Sequence, residues 1–329
     1  MRRIEELSAD YTTSEGFGTQ VEKWREQLID EARAKRRFEQ VTSVFRPEQP
    51  VHSYKVPIAN VVDFEPVTET EHEEVDFTTL DESIEHAIFV PTYKRSAVAV
   101  SQEALEENVI DAIDYARDQL TEFASTKVDF DIRNELEGAD PDNIAGGEVI
   151  YPEDVDDVSD MTTDSTLSTS MIAQGVRYLR EENWYNTDEQ PYVMFIHPAQ
   201  EHTLLTEKQF VDASEYGSDD VVLNGEIGRY LGIRVISTSQ VKTYEGGDED
   251  TTTGDTWDGV EEGGSVYLFK AERPVGICWG REAVLQAEER PEFNHERIYL
   301  GMKYDTQLLQ ESALVIMKAA HEATGEHTE

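Results

Sequence analysis

A single cysteine, Cys278, stands in 329 residues. One thiol excludes a disulfide framework, a four-thiolate zinc site and a cysteine-ligated iron–sulfur cluster. Bases are scarce as well. Lysine and arginine total 28 against 70 aspartates and glutamates, a formal charge of −42. That deficit argues against sequence-independent nucleic-acid binding through a basic surface. No apolar run approaches the roughly 18 residues of a membrane span, so no membrane partner is expected. The opening MRRIEELSADYTT has two arginines and no apolar stretch behind them, which does not read as a secretory signal. There is no GxSxG, no GxGxxG and no GK[ST] phosphate loop. His72-Glu73 lacks the histidine four residues after His72 that a zinc helix requires. No internal repeat is visible.

Apolar residues make up 38% of the chain, with 12 Phe, 14 Tyr and 4 Trp. That supports a genuine core, so the charge need not mean disorder. Such acidity self-repels in dilute salt. At ~1 M salt the screening length falls to about 3 Å and the repulsion largely vanishes. Abundant short carboxylates and few lysines therefore read as adaptation to concentrated salt. The charge is uneven. Residues 1–50 hold nine bases and ten acids, and the remaining chain carries a net −41. Residues 56–93 and 137–164 each contain ten acids and no base, and 245–262 contain eight acids and no base.

The periodicity predicts a helix over 19–41, with Thr19 and Glu22 as a capping box and Val21, Trp24, Leu28, Ala32 and Phe38 mostly on one face. Residues 54–100 read as a long two-stranded arm, β-branched and aromatic, with an acidic tip. Pro57, Pro66 and Pro91 mark edge or irregular strands. Residues 101–137 predict one helix, a rod of roughly 54 Å at 1.5 Å per residue. Its phase runs loosely through Leu105, Val109, Ile113, Ala116, Leu120, Phe123, Lys127, Phe130 (or Asp131) and Asn134, with Val128, Ile132 and Leu136 taking over the seam, and Gly138 and Pro141 stop it. An acidic loop follows over 138–165, then a helix near 166–182. Beyond it come a strand at 192–196, a short helix opened by Pro198, and strands at 221–223, 233–238, 265–270 and 275–279. The last third alternates again. The fold class is α+β with a protruding arm.

Cys278 lies in the apolar strand VGICW and reads as a buried small hydrophobe, not a nucleophile. His197 follows an apolar strand and precedes a proline, which reads as structural; His202 is poorly placed to join it on one helix face. Asp140, Asp142 and Glu148, or Asp248, Asp250 and Asp255, could offer oxygen ligands to calcium, but neither set fits the EF-hand register. In so acidic a chain, clustered carboxylates are background. No catalytic, cofactor-binding or metal-binding residue is assigned, and no cofactor is expected.

Three stretches carry a resemblance: VPTYKRSAVAVSQEALEENVIDAIDYARDQLTEFASTKVDFDIRNELEG (90–138), PYVMFIHPAQEHTLL (191–205) continuing into GEIGRYLGIRVISTSQV (225–241), and VYLFKAERPVGICWGREAVLQAEERPEFNHERIYLGMKYDTQLLQESALVIMKA (266–319). In order and spacing they resemble the major capsid proteins of tailed double-stranded DNA viruses, the Hong Kong 97-type fold. The resemblance implies an amino-terminal arm (1–53) and an extended loop overlapping a neighbouring subunit (54–100). It implies a peripheral domain with spine helix and acidic loop (101–164), an axial domain (165–275) and a return to the peripheral domain with final strand and tail (276–329). It further implies a structural protein, not an enzyme, forming pentamers and hexamers of an icosahedral shell around double-stranded DNA. Such a protein is assembled in host cytoplasm and resides in the virion. Separate scaffolding, portal and decorating proteins are its expected partners, and composition adds a haloarchaeal host. Some family members cross-link a loop lysine to a neighbour's asparagine. Here only Lys55 and Lys94 flank the acid-only stretch, which argues against that chemistry even though Asn294 is suggestively placed. Two rival readings are an encapsulin-like compartment enclosing protein cargo and a halophilic metal-dependent cytosolic enzyme.

Overall fold

The structure, a computed structural model, describes residues 35–47, 52–59, 84–138, 148–153, 155–187, 190–206, 226–230, 232–248, 250, 257, 260, 262–290 and 295–321. Two main sheets share one long helix. The first sheet has four strands in the order β1–β11–β12–β4, and a separate two-stranded ribbon pairs β2 with β3. Here β1 is Ser43–Phe45, β2 Tyr54–Ala59, β3 Ile84–Phe89, β4 Thr92–Ser101, β11 Val275–Arg290 and β12 His295–Leu308. The second sheet has the order β5–β13–β10–β6–β8–β7, with β9 also on β10. Its strands are β5 (Glu148–Ile150), β6 (Tyr192–Ile196), β7 (Glu226–Tyr230), β8 (Ile233–Ser237), β9 (Thr243–Glu245), β10 (Glu262–Lys270) and β13 (Leu314–Ala320). The helices are α1 (Gln102–Glu137), α2 (Thr169–Glu181) and α3 (Pro198–Thr206).

Helix α1 follows β4 without a loop and ends where the Gly138 N–H returns to the Asn134 carbonyl at 2.8 Å. Along its described part Ala116, Leu120, Ala124, Val128, Ile132 and Leu136 are buried at every fourth position. Four residues advance about 400°, so the seam turns ~40° at each step. It thereby meets Leu300, Met302 and Tyr304 of the first sheet and Val193, Phe195, Tyr267 and Phe269 of the second in one continuous core. Strand alternation sends Tyr192, Met194, Val266, Leu268, Val315 and Met317 to the opposite face, against Ile172, Val176 and Leu179 of α2. Ser168 caps α2 by accepting the Met171 N–H.

Several expectations shift. Residues 39–41 form a single 3-10 turn and not the end of an α-helix, because Phe38 and Val41 turn into the core and the Arg37 N–H is drawn to Asp129 Oδ2 at 2.7 Å. The 19–34 part of that helix and the strand at 221–223 lie outside the described residues. Among the described residues the arm pairs only 54–59 with 84–89. At Pro91 the chain leaves it, the Val90 N–H goes to Asp305 Oδ2 at 2.7 Å, and β4 becomes the edge of the four-stranded sheet on β12. Within the predicted acidic loop, 148–150 form a short strand parallel to β13. The final strand, part of the segment 276–329, pairs with β10 of the second sheet.

Candidate functional site

The surface, not a cleft, carries the unusual features. At the root of the arm Ala87 and Phe89 are buried with Cys278, beside Phe45, Tyr54 and Leu309. Alternation turns the intervening residues outward: Ile88 is 46% exposed, Val90 41%, and Tyr93, at the start of β4, 55%. Three large apolar side chains left exposed within residues 88–93 are costly on a subunit standing alone. Beside them, the outer face of β4, β12 and β11 forms an open groove of about 670 Å³, lined by Tyr93, Arg95, Arg281, Gln286 and Tyr299 among others.

Beneath this surface, polar contacts tie the elements together. Arg36 pairs with Glu39 at 2.6 Å, lies 4.9 Å from the centre of the Trp279 ring and donates to the Ala124 carbonyl of α1. Trp279 Nε1 donates to Glu39 Oε1 at 2.8 Å. On α1, Asp131 receives the Tyr304 hydroxyl at 2.8 Å and the Lys127 ammonium at 2.5 Å, with Lys94 at 3.7 Å. Asp129 is fully buried; burial outweighs the amides of Arg37 and Glu39 that stabilise its charge and pushes its carboxyl up to about 7.

A second buried cluster joins the end of α1 to the second sheet. Lys318 Nζ lies 2.9 Å from Asp250 Oδ2, 3.3 Å from Glu137 Oε2 and 2.9 Å from Ser265 Oγ. Tyr267 donates to Glu137 Oε1 at 2.6 Å, Tyr244 to Glu137 Oε2 at 3.1 Å and Trp257 Nε1 to Asp250 Oδ2 at 3.2 Å. Burial alone pushes the Lys318 ammonium down, but Glu137 and Asp250 overcome it and hold it above the usual lysine range. Burial and Glu137 push the Tyr267 phenol well up.

The residues singled out in the sequence do not converge. Cys278 is buried between its neighbours Phe45 and Asp305, and burial, with Asp305, pushes its thiol up to about 11, so it is a packed hydrophobe. His197 and Gln200 form the entry to α3: Gln200 Oε1 accepts the His197 N–H at 3.0 Å, with Pro198 first in the helix. The His197 ring stacks on His321 at 4.6 Å, while His202 is exposed on the helix. Asp248 accepts the Glu245 amide in a turn, and Asp250 is engaged by Lys318 and Trp257. Glu148 sits exposed on β5. Asp140, Asp142, Asp255, Asn294 and His72 lie outside the described residues. Among the described residues no three potential metal ligands cluster. Lys318 and Glu137 escaped the sequence reading, although a lysine inside the apolar run SALVIMKAA signals a buried acidic partner.

The family model for phage capsid protein matches residues 86–315, most of the chain. The chain belongs to the phage capsid protein family. The match begins inside the arm and runs through both sheets and the shared helix, stopping within β13. As a phage capsid protein it is a structural component of the virion shell and not an enzyme. No curated protein sequence matches it. Solved structures show the same fold at low identity. The capsid of cyanophage P-SCSP1u has a TM-score of 0.61 at 12% identity, covering 87% of this chain and 88% of that one. The capsid of Ralstonia phage GP4 has a TM-score of 0.59 at 12% identity, covering 86% and 87%. A virus-like particle from Pyrococcus furiosus has a TM-score of 0.51 at 15% identity, covering 90% and 98%. The spine helix, the arm and the two sheets are thus the α+β capsid fold of the Hong Kong 97 type. Lys94, one of the two lysines flanking the acidic arm, turns toward Asp131 and the Tyr304 ring.

Proposed function

We propose that this capsid protein assembles with itself into pentamers and hexamers of an icosahedral shell enclosing double-stranded DNA, in a virus of a salt-requiring archaeal host. The exposed apolar residues Ile88, Val90 and Tyr93 where the arm meets the first sheet carry the reading. Exposed apolar side chains on a chain of charge −42 are stable when a neighbouring subunit covers them. In this reading residues 54–100 form the overlapping loop, 101–164 and 276–329 the peripheral domain, and 165–275 the axial domain at capsomer centres, with β5 and β13 crossing over to complete the axial sheet. The nearly neutral residues 1–53 face the lumen. Scaffolding, portal and decorating proteins are separate chains. The acidity is matched to molar salt, where carboxylates on adjoining arms are screened. The fold is shared with a virus-like particle, and the second reading is a shell of this fold enclosing protein in place of DNA.

The test is light scattering with negative-stain microscopy of the purified chain in molar salt, then after dialysis to low salt. Capsomer rings or closed shells are expected at high salt and their dissociation at low salt. Ile88→Asp leaves a folded subunit that does not assemble. A wild-type chain that stays monomeric at every salt concentration, even with the other head proteins present, overturns the proposal. The contents of native particles, nucleic acid or protein, separate the two readings.

A further inference from the structure

The buried cluster under the second sheet has the components of a self-forming covalent bond. Lys318 on β13 and Asp250 are both fully inaccessible, and their charged ends touch at 2.9 Å. Glu137, at the end of α1, lies 3.3 Å from the same nitrogen. The Tyr244 ring lies 5.1 Å from the ammonium and stacks on Trp257 at 5.2 Å, so an aromatic wall covers the ion pair. Trp257 Nε1 donates to Asp250 Oδ2 at 3.2 Å, while Oδ1 faces the Lys318 nitrogen at 3.0 Å and the Tyr244 hydroxyl at 3.5 Å. A buried pair with a third charge beside it is an expensive arrangement, since desolvation offsets much of the attraction. Condensing lysine with aspartate removes two of the three buried charges.

We propose that Lys318 and Asp250 form an intramolecular isopeptide bond, with Glu137 as the proton carrier. Glu137 Oε2 takes one proton from the Lys318 ammonium, and the freed amine attacks Asp250 Cγ. The C–Oδ1 bond breaks, and Oδ1 leaves as water with the proton carried by Glu137 and a second proton from the nitrogen. Oδ2, held by Trp257, becomes the amide oxygen, and the remaining N–H donates to Glu137. Three nitrogen-bound protons become one amide proton and one water; the net charge of the cluster stays at one negative. No oxidant, metal or cofactor is involved. Proximity supplies the driving geometry, because the reacting groups are held in contact in a site closed to solvent. The bond would join the loop bearing Asp250 to the final strand, locking residues 250 and 318 together in each subunit. It differs from inter-subunit cross-linking in needing no neighbour, so it is testable apart from assembly.

The experiment is intact mass measurement of the denatured full chain purified from molar salt, followed by proteolysis and fragment sequencing. The expected result is a mass lighter than the sequence by one water and a branched peptide joining Lys318 to Asp250. Asp250→Ala restores the full sequence mass, and Glu137→Gln restores it wholly or slows the loss at least tenfold. A wild-type chain of full sequence mass, with Lys318 modified by an amine reagent after denaturation, overturns the proposal. So does a water loss that persists in Asp250→Ala. The wild-type measurement decides the matter even if a variant fails to fold.

Discussion

Asp129 offers the sharpest quantitative test of how this core is built. Its side chain is wholly inaccessible on α1, one oxygen accepts the Arg37 amide at 2.7 Å, and the other, Oδ1, has no hydrogen-bond partner. Burial pushes its carboxyl from 3.8 up to about 7. The folded state therefore holds this proton more tightly than the unfolded chain does. The stabilisation is complete below the unfolded value near 4 and is lost as pH rises through about 7. Each unit of difference is worth about 1.4 kcal/mol, so the loss across that window is about 4 kcal/mol. Asp129→Asn removes the ionisation while keeping an oxygen for the Arg37 amide. Denaturant unfolding at fixed molar salt between pH 4 and pH 8 is the assay. The advantage of the asparagine variant over wild type should grow with pH by about 4 kcal/mol across that range. An unchanged difference at both ends, or one that grows toward acid, refutes the account of Asp129 as a carboxyl protonated by burial.

The other expected outcomes follow from packing and from the second sheet. Phe195 stacks on Phe38 at 4.1 Å and lies 5.9 Å from Phe269, so Phe195→Ala should cost about 3–5 kcal/mol in chemical denaturation. The buried His321 ring stacks on His197 near Glu262, and burial holds both imidazoles below their usual range, with His197 lowering His321 further and Glu262 opposing. Neutral rings are favoured by the fold, so their contribution is present above about 6.5 and lost as pH falls below it. His321→Gln should flatten the thermal-stability profile between pH 7 and pH 5, read by scanning calorimetry.

Much of this architecture is written in local pattern, because long elements repeat their instructions. Helix α1 and its end at Gly138 were legible, as was the seam of Val128, Ile132 and Leu136, but the phase through Phe123, Lys127, Phe130 and Asn134 was not the buried one, which runs through Ala124. Strand β6 was legible as a five-residue apolar run, and α3 from Pro198. What local pattern hides is pairing at a distance. The segment HAIFVPTYKRSAVAV is rich in β-branched and aromatic residues on both sides of Pro91, yet one side pairs within the arm and the other with β12. β13 reads as any apolar strand; its place on β10 depends on alternation shared with residues some fifty positions earlier. The buried cluster was concealed for the same reason: Glu137, Asp250 and Lys318 are meaningless apart and meet only through three separate elements. The exposure of Ile88 was invisible too, since Ile88 and Phe89 are neighbours in sequence and opposites in exposure.

The unbroken passage from β4 into α1 has a mechanical consequence. A push applied at the arm root has no flexible joint through which to dissipate before it reaches the second sheet. The 36-residue helix acts as a stiff lever, and its turning seam grips both sheets at once. Each subunit should therefore move as a single tile. Differences in curvature between one position in a shell and another would fall at the seams between tiles and in the arms that reach across them.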